Sequence, residues 1–549
     1  MSFLTDIFDA LENAPSATVL QEIQDGRITA HVSGRTLLEY VARARAFLSA
    51  RQLKRGDRVA LLAPNGIQWA ALDLAIMAEG LVAVPLYSRQ AAGELVAIMK
   101  DCDPRLICAD GRALSEPIHQ LWSTAPPVCL FNDIFATQHG IESRPDLADS
   151  DAVTLIYTSG TSGDSKGVIL TAGNVKHMLG CTSGRLDLLM KKSQDQDRVF
   201  HYLPFCFAGS WILLLTSLMR ASLLTLNTDL AKIASDMRVV APDYFLNVPA
   251  LLERMRKAVD EQLWQAGGFV QTIYAKAKIA AVRQSEDAMR FGDRFWLSLA
   301  DFAIFPTIRK KMIGRNLRAL ICGSAPLSIE TQQFFMMLGI PVLQVYGLTE
   351  TTAICTMDDP RQVTPGRVGP AIDGVEMRVG EHEEILVRGP NIFPGYWNRP
   401  EETAKTLRDG WFHTGDQGEV DSTGNWKIVG RLKNLIILGS GHNIAPEPIE
   451  DKILQQLPGA SQVVLTGNGK GYLSAIITGK VTDQQAQAAI DVVNPQLPHY
   501  KQVRAFCVRP EPFTIESGLL TANGKLRREM IAASMRSEIE DMYRVKAAV

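Results

Sequence analysis

Between Asp57 and Asp110, short apolar runs (RVALLAP, LVAVPLY, RLICAD) alternate with stretches of helical periodicity, the first around IQWAALDLAIMAEG. Short apolar strands bounded by Gly and Pro and separated by helices predict βαβ units, and so a mainly parallel sheet covered on both faces. The rhythm resumes after Asp151 at AVTLIYTSG and recurs at LRALICGSAP and IPVLQVYG. From about Leu251 to Arg318 it gives way to long mixed-charge helical sequence such as LLERMRKAVDEQLW, which reads as a helical insertion at about 251–318. After Gly374, EMRVGEHEEILVRG and GEVDSTGNWKIVG alternate apolar and polar positions around a turn-forming DSTGN. That alternation predicts a small antiparallel β subdomain. Beyond Gly430, IEDKILQQL, VVLTG, LSAIITG and a charged helical tail from Lys525 predict a separate small α+β unit. The expected fold is therefore α/β. A large multi-subdomain body with parallel sheets occupies residues 1–430, and a small mobile cap occupies 431–549, with a short linker near Gly430 to Asn434 able to serve as a hinge.

A chain of 549 residues exceeds what one hydrophobic core usually organises, in keeping with that division. Lys and Arg number 57 against 59 Asp and Glu, so there is no electrostatic case for nucleic acid as a partner. The eight cysteines have no CxxC or zinc-type spacing, which fits reduced thiols in a cytoplasmic protein. The amino-terminal MSFLTDIFDALENA lacks a basic n-region and a small-residue cleavage site, so secretion is not expected. The apolar stretch Phe205 to Met219 ends at Arg220, short of the roughly 18 residues of a spanning helix.

The segment most informative about chemistry is Tyr157 to Val168, YTSGTSGDSKGV, which gathers Gly, Ser and Thr ahead of Lys166. Gly160 and Gly163 allow a tight backbone whose N–H groups can face phosphate oxygens, the hydroxyls add donors, and Lys166 supplies positive charge. Taken alone, the string is either an ordinary polar turn or a phosphate-binding loop. It is not Walker A, because GK[ST] is missing. Taken whole, it closely resembles the signature loop of the adenylate-forming enzymes, the group of acyl-CoA synthetases, luciferases and nonribosomal-peptide adenylation domains. The resemblance runs, motif by motif in order, from about Asp57 to Arg528.

The resemblance implies that Thr158, Ser159, Gly160, Thr161, Ser162, Gly163 and Lys166 hold the phosphates of ATP. GSAPLS and QVYGLTE resemble the segments that line the adenine pocket and bind the metal, which places Gly323, Ser324, Ala325, Pro326, Gln344, Tyr346 and Gly347 beside the nucleotide. Thr349 is then expected at the adenylate phosphate and Glu350 on Mg²⁺. A carboxylate attacking the α-phosphorus meets a chain already rich in negative charge, so a divalent cation and cationic side chains must offset the repulsion. By the same resemblance Asp416 and Arg431 bind the ribose, Ile428 adjoins the nucleotide, and Lys433 is the hinge about which the cap swings between two catalytic poses. Lys525, in TANGKLRR, reaches the reacting carboxylate and α-phosphate in the first pose, while GSGHNIAPEPIE, with Gly441, faces the site in the second and leaves room for a pantetheine arm. His442 in that loop is read as an ordinary loop histidine rather than a base. Lys525, Glu350, Thr349 and Lys166 are the expected catalytic residues.

In HYLPFCFAGSW, Phe207 stands where most relatives carry a histidine that meets the substrate carboxylate. Alignment of the carboxylate is then left to Lys525, the metal and backbone groups. Trp211, four residues on, shares a helical face with Phe207, and the two either wall an acyl tunnel or pack in the core. Gly323 and Gly347 are expected beside the acyl group as well. The helical insertion ending in FAIFPTIRKKMIGRNLRALICGSAPLS resembles that of long-chain fatty acyl-CoA synthetases, which points to a long apolar acid. Arg309, Lys310, Lys311, Arg315 and Arg318, beside Phe302, Ile304 and Phe305, form either a solvated face or a peripheral contact with an anionic membrane. The expected activity is activation of a medium- or long-chain fatty acid as acyl-AMP and its transfer to coenzyme A, by a monomer or homodimer. Transfer to an acyl carrier protein is the alternative within enzymes, and a non-catalytic acyl or nucleotide sensor the alternative outside them.

Overall fold

The apolar runs pair into two largely parallel sheets. The computed structural model describes residues 2–544 apart from 139, 142, 160–164, 192–194, 286–287, 313, 315 and 522–523. One sheet has six strands in the order Val128–Leu130, Leu106–Ala109, Arg58–Leu62, Val82–Leu86, Ala152–Ser159, Ser165–Thr171, parallel except for the last pair. Leu106–Ala109 and Val82–Leu86 are buried at every position, as strands covered on both faces must be. The other sheet has eight strands, its centre formed by Val342–Tyr346, Ala319–Cys322, Tyr244–Asn247, Arg198–His201 and Leu223–Asn227, all parallel.

Helix Ile67–Ala78 packs against strands of both sheets, which explains why its sequence is apolar almost all round. Within this layer Trp211 is wholly buried, and its indole N–H donates to Asp73 Oδ2 at 2.8 Å. Trp211 is thus packed in the core: the helix Ala208–Met219 turns that side chain inward, where the buried carboxylate satisfies its donor. Phe207, at the start of the same helix, is half-buried beside Tyr87, with ring centroids 6.0 Å apart.

The insertion consists of helices Pro249–Ala266, Gly268–Ser285, Asp293–Ala303 and Phe305–Met312, packed through Leu252, Tyr274, Ala300 and Phe305 onto Phe245, Leu320 and Val342 of the eight-stranded sheet. The basic patch expected at its end changes character here. Ile304 and Phe305 are buried, Arg309 is paired with Asp301 at 3.0 Å, Arg318 lies 3.7 Å from Asp243, and Arg315 falls outside the described residues. Ile304 and Phe305 cap the core under the helix pair, so of the three apolar residues only Phe302 faces outward. An antiparallel sheet built from Glu376–Val379, Glu384–Arg388, Leu407–Arg408, Trp411–Val420 and Trp426–Arg431 follows. After it, a three-stranded sheet (Ala460–Thr466, Leu473–Gly479, Val503–Arg509) and its helices enclose cores drawn wholly from residue 436 onward. Among the described residues no helix is long and apolar enough to cross a membrane.

Burial pushes the Asp73 carboxyl up to about 7, against the opposing hydrogen bond from Trp211. The unfolded chain releases that proton near about pH 4. Between the two values the folded state binds more protons, so stability falls as pH rises, by at most about 1.4 kcal/mol per pH unit. Asp73→Asn keeps an acceptor for the indole and is expected to flatten this slope. Urea midpoints of both proteins across that window measure it, and parallel slopes would refute the assignment.

Candidate functional site

Three loops leave the carboxyl ends of strands on one side of the body, as ligand-binding loops of parallel sheets do. Gly323 and Gly347 stand at the ends of two of these strands because nothing larger fits. A Cβ on Gly347 would lie 2.4 Å from the Ala353 carbonyl oxygen, and one on Gly323 2.6 Å from Val345 Cγ2. Past them the backbone turns sharply, with Ser324, Thr352 and Ala353 at positive φ. Ser324, Ala325 and Pro326 are exposed at the rim. Thr349 and Glu350 lie in a half-buried turn that follows Tyr346.

The third loop joins strands Ala152–Ser159 and Ser165–Thr171, in which Thr158 is the register partner of Lys166. Gly160, Thr161, Ser162 and Gly163 lie outside the described residues, as does the Ser159 side chain. Residues 395–397 run along the strand that carries Lys166, with the Trp397 N–H donating to the Gly167 carbonyl at 2.8 Å and the Ile169 N–H to that of Gly395 at 3.2 Å. This contact brings Tyr396 into the site. Its hydroxyl donates to Glu350 Oε1 at 2.8 Å, and its ring centroid is 5.4 Å from the Lys166 ammonium. Lys166 itself pairs with Glu402 at 2.6 Å. Burial and the neighbouring Glu350 carboxylate raise the Tyr396 pKa, so the phenol stays a donor.

A second cluster stands on the antiparallel sheet. Asp416 and Arg431 are register partners on Trp411–Val420 and Trp426–Arg431. Asp416 is buried and accepts a 2.8 Å hydrogen bond from the Tyr346 hydroxyl on Oδ2. Arg431 Nε lies 2.8 Å from Oδ1 but out of hydrogen-bonding alignment, so that buried oxygen accepts no hydrogen bond from the described residues. Burial raises the Asp416 pKa against the pull of Arg431. An acceptor held in this way is suited to a hydroxyl donor such as a ribose.

Lys433 and Lys525 bring two further cations, close enough to Asp416, Arg431 and Glu350 for those charges to act on both. Both side chains are exposed at the surface, and the protein atoms gathered around them replace part of their water. That partial desolvation, together with the Arg431 charge, pushes Lys433 down to about 8 and lowers Lys525 in the same way. Lys525 projects from a hairpin closed by the Thr521 N–H to the Lys525 carbonyl at 2.8 Å, and the adjacent Arg527 reaches Glu94 of the body at 3.4 Å. Lys166, Arg431, Lys433 and Lys525 thus gather around the Asp416 and Glu350 carboxylates, an arrangement that fits a polyanion. Among the described residues no three His, Cys, Asp or Glu side chains converge on one point. The single carboxylate of Glu350 suits a magnesium ion whose other ligands are phosphate and water.

Of the residues expected here, Gln344 is drawn elsewhere. Its amide donates to Gln332 Oε1 and to the Arg367 carbonyl, both at 2.9 Å, and so braces the sheet edge. Ile428 packs against the main core, and Gly441 is exposed in the turn before Asn443–Ile444. Tyr396 and Glu402 were not anticipated, although both sit in GYWNRPEETAKT, inside the string that suggested Asp416.

The sequence profile of the AMP-binding enzyme family matches residues 7–397, and that of the AMP-binding enzyme C-terminal domain matches 433–547. The chain belongs to the AMP-binding enzyme family. Long-chain-fatty-acid–CoA ligase FadD15 of Mycobacterium bovis is 27% identical to this AMP-binding enzyme over 98% of the chain and 96% of its own length. Long chain acyl-CoA synthetase 3 of Arabidopsis thaliana is 25% identical over 98% and 91%. ATP-bound MatB from Rhodopseudomonas palustris shares the fold, with a TM-score of 0.75 and 23% identity over 98% of this chain and 99% of that one.

Two predictions concern the cations of this enzyme. Glu402 competes with a bound anion for Lys166, and a part-exposed pair of this kind is worth about 0.5 kcal/mol. Glu402→Gln is therefore expected to tighten MgATP binding about twofold, and Lys166→Met to weaken it (titration calorimetry). Equal weakening by both would remove Lys166 from the site. Phosphates bind the protonated form of Lys433, so ATP affinity is expected to fall as pH rises through about 8, by at most about tenfold per pH unit. The fall should be shallower in Lys433→Gln, and a profile unchanged by the substitution would mean that Lys433 does not face the nucleotide.

Proposed function

We propose that this AMP-binding enzyme is an ATP-dependent acid–thiol ligase. A medium- or long-chain fatty acid and MgATP give acyl-AMP and pyrophosphate, and the thiol of coenzyme A then displaces AMP to give the thioester. The observation that carries the reading is the convergence of Arg431, Lys433 and Lys525 on the Asp416 and Glu350 carboxylates, at the junction of the body with the carboxy-terminal cores. The choice of acid and acceptor is supported by the names of the full-length relatives.

In the first step Asp416 holds the ribose hydroxyls and Lys166 the β- and γ-phosphates. Lys525 stands between the incoming carboxylate and the α-phosphate, where it offsets charge as the P–O bond to the acid forms and pyrophosphate leaves. Glu350 would hold a magnesium ion, which would supply positive charge to offset that of the phosphates. Phe207 offers no proton or charge to the acid, so Lys525 also aligns the carboxylate. Residues 1–430 and 431–549 act as body and cap. Rotation about Lys433 withdraws Lys525 and brings in the turn around Gly441, opening a path for the thiol.

This reading predicts a split. Lys525→Ala is expected to lower acid-dependent pyrophosphate exchange into ATP by about 10²–10³-fold. Thioester formation from supplied palmitoyl-AMP and coenzyme A should be largely retained. Failure of the wild type to exchange pyrophosphate with acids of any chain length would defeat the proposal, and so would use of carrier protein in place of coenzyme A as the sole acceptor.

A further inference from the structure

Every exposed phenylalanine among the described residues lies in one helix pair: Phe269 on Gly268–Ser285, and Phe291, Phe295 and Phe302 on Asp293–Ala303 and the turn before it. Their relative exposures are 72%, 110%, 61% and 86%. Phe295, Ser298 and Phe302 are spaced by three and four residues, which lines them along one helical face with Ser298 exposed among them, and Phe291 stands in the turn just before Gly292 and the helix. The opposite face carries Trp296, Leu297 and Ala300 and packs onto the core beneath. This helix therefore has two apolar faces, of which the protein covers one. Scattered exposed hydrophobes are ordinary on a soluble surface, whereas an aligned aromatic stripe marks a contact.

The charges beside the stripe select the occupant. Arg283 is neutralised by Asp293 at 3.2 Å and Arg309 by Asp301 at 3.0 Å. Arg290 and Arg294 flank the stripe, and Lys310 and Lys311 follow on the next helix, all exposed. The acidic residues Glu286 and Asp287 precede the turn and lie outside the described residues. Rings along one side of a surface helix with arginine and lysine beside them form the pattern of a helix lying in a bilayer interface: the rings enter the acyl boundary and the cations reach lipid phosphates.

We propose that helix Asp293–Ala303 docks the enzyme on an anionic bilayer through Phe291, Phe295 and Phe302, with Arg290, Arg294, Lys310 and Lys311 against the headgroups. The inference rests on the proposed function in one respect, since a long-chain acid partitions into bilayers and docking would bring the enzyme to it.

Flotation of the full chain with phosphatidylcholine vesicles, with and without phosphatidylglycerol, tests this. The wild type is expected to float with the anionic vesicles and to release as salt is raised. F291S/F295S/F302S should weaken binding at least tenfold, and R290E/R294E should weaken it only on anionic vesicles. Pyrophosphate exchange with dissolved octanoate should be unchanged in both variants, which also shows that they fold, while turnover of vesicle-borne palmitate should fall. A wild type that stays unbound would overturn the proposal, and so would a triple variant that binds vesicles normally. A dimer in sedimentation that the triple variant splits, without any vesicle effect, would assign the stripe to a second copy of the chain. Flotation reads docking whether or not any acid is activated, so this proposal and the functional one fail separately.

Discussion

Four cationic side chains gathered at one site repel one another, and the rest of the site is built to contain that repulsion. Arg431 is set against the Asp416 carboxylate and Lys166 against Glu402. Lys433 and Lys525 both shift toward the neutral form under desolvation and the Arg431 charge. A triphosphate bound there, as proposed, would relieve all of these strains together. The site is held together by residues far from it in the sequence.

Those residues belong to different layers. Tyr396 is held by backbone pairing with the strand of Lys166, yet its hydroxyl serves Glu350 in a loop of the other sheet. Tyr346 ends a strand of that sheet and reaches Asp416 on the antiparallel one. Two tyrosines thus join three sheets at the point where nucleotide is proposed to bind, and each is kept a neutral donor by burial beside a carboxylate. Arg527 continues the network into the carboxy-terminal part through Glu94. That part-exposed contact is a weak one.

The βαβ rhythm, the helical insertion and the late antiparallel strands were legible because each has its own hydrophobic period. Lys166 could be singled out from the Gly, Ser and Thr that precede it, whereas Glu350, Asp416, Arg431, Lys433 and Lys525 were singled out only by the resemblance to a known family. The partners of the Gln344 amide, Gln332 and the Arg367 carbonyl, were not legible, because pairing across a strand and a helix does not show in a local string. Tyr396 and Glu402 passed unremarked because their partners, Glu350 and Lys166, lie in distant parts of the chain.

By itself, then, the order of residues determined which elements form and which loops carry charge, since both depend on neighbours within a few positions. Tertiary structure alone decided which way an ambiguous face would turn. Phe207 and Trp211 share a helical spacing, yet only packing between the two sheets could send the indole to Asp73 and leave the phenyl ring half-buried. On helix Asp293–Ala303 both faces are apolar, so periodicity could not say which would be covered. Burial is settled by what lies opposite, and a one-dimensional pattern does not contain that partner.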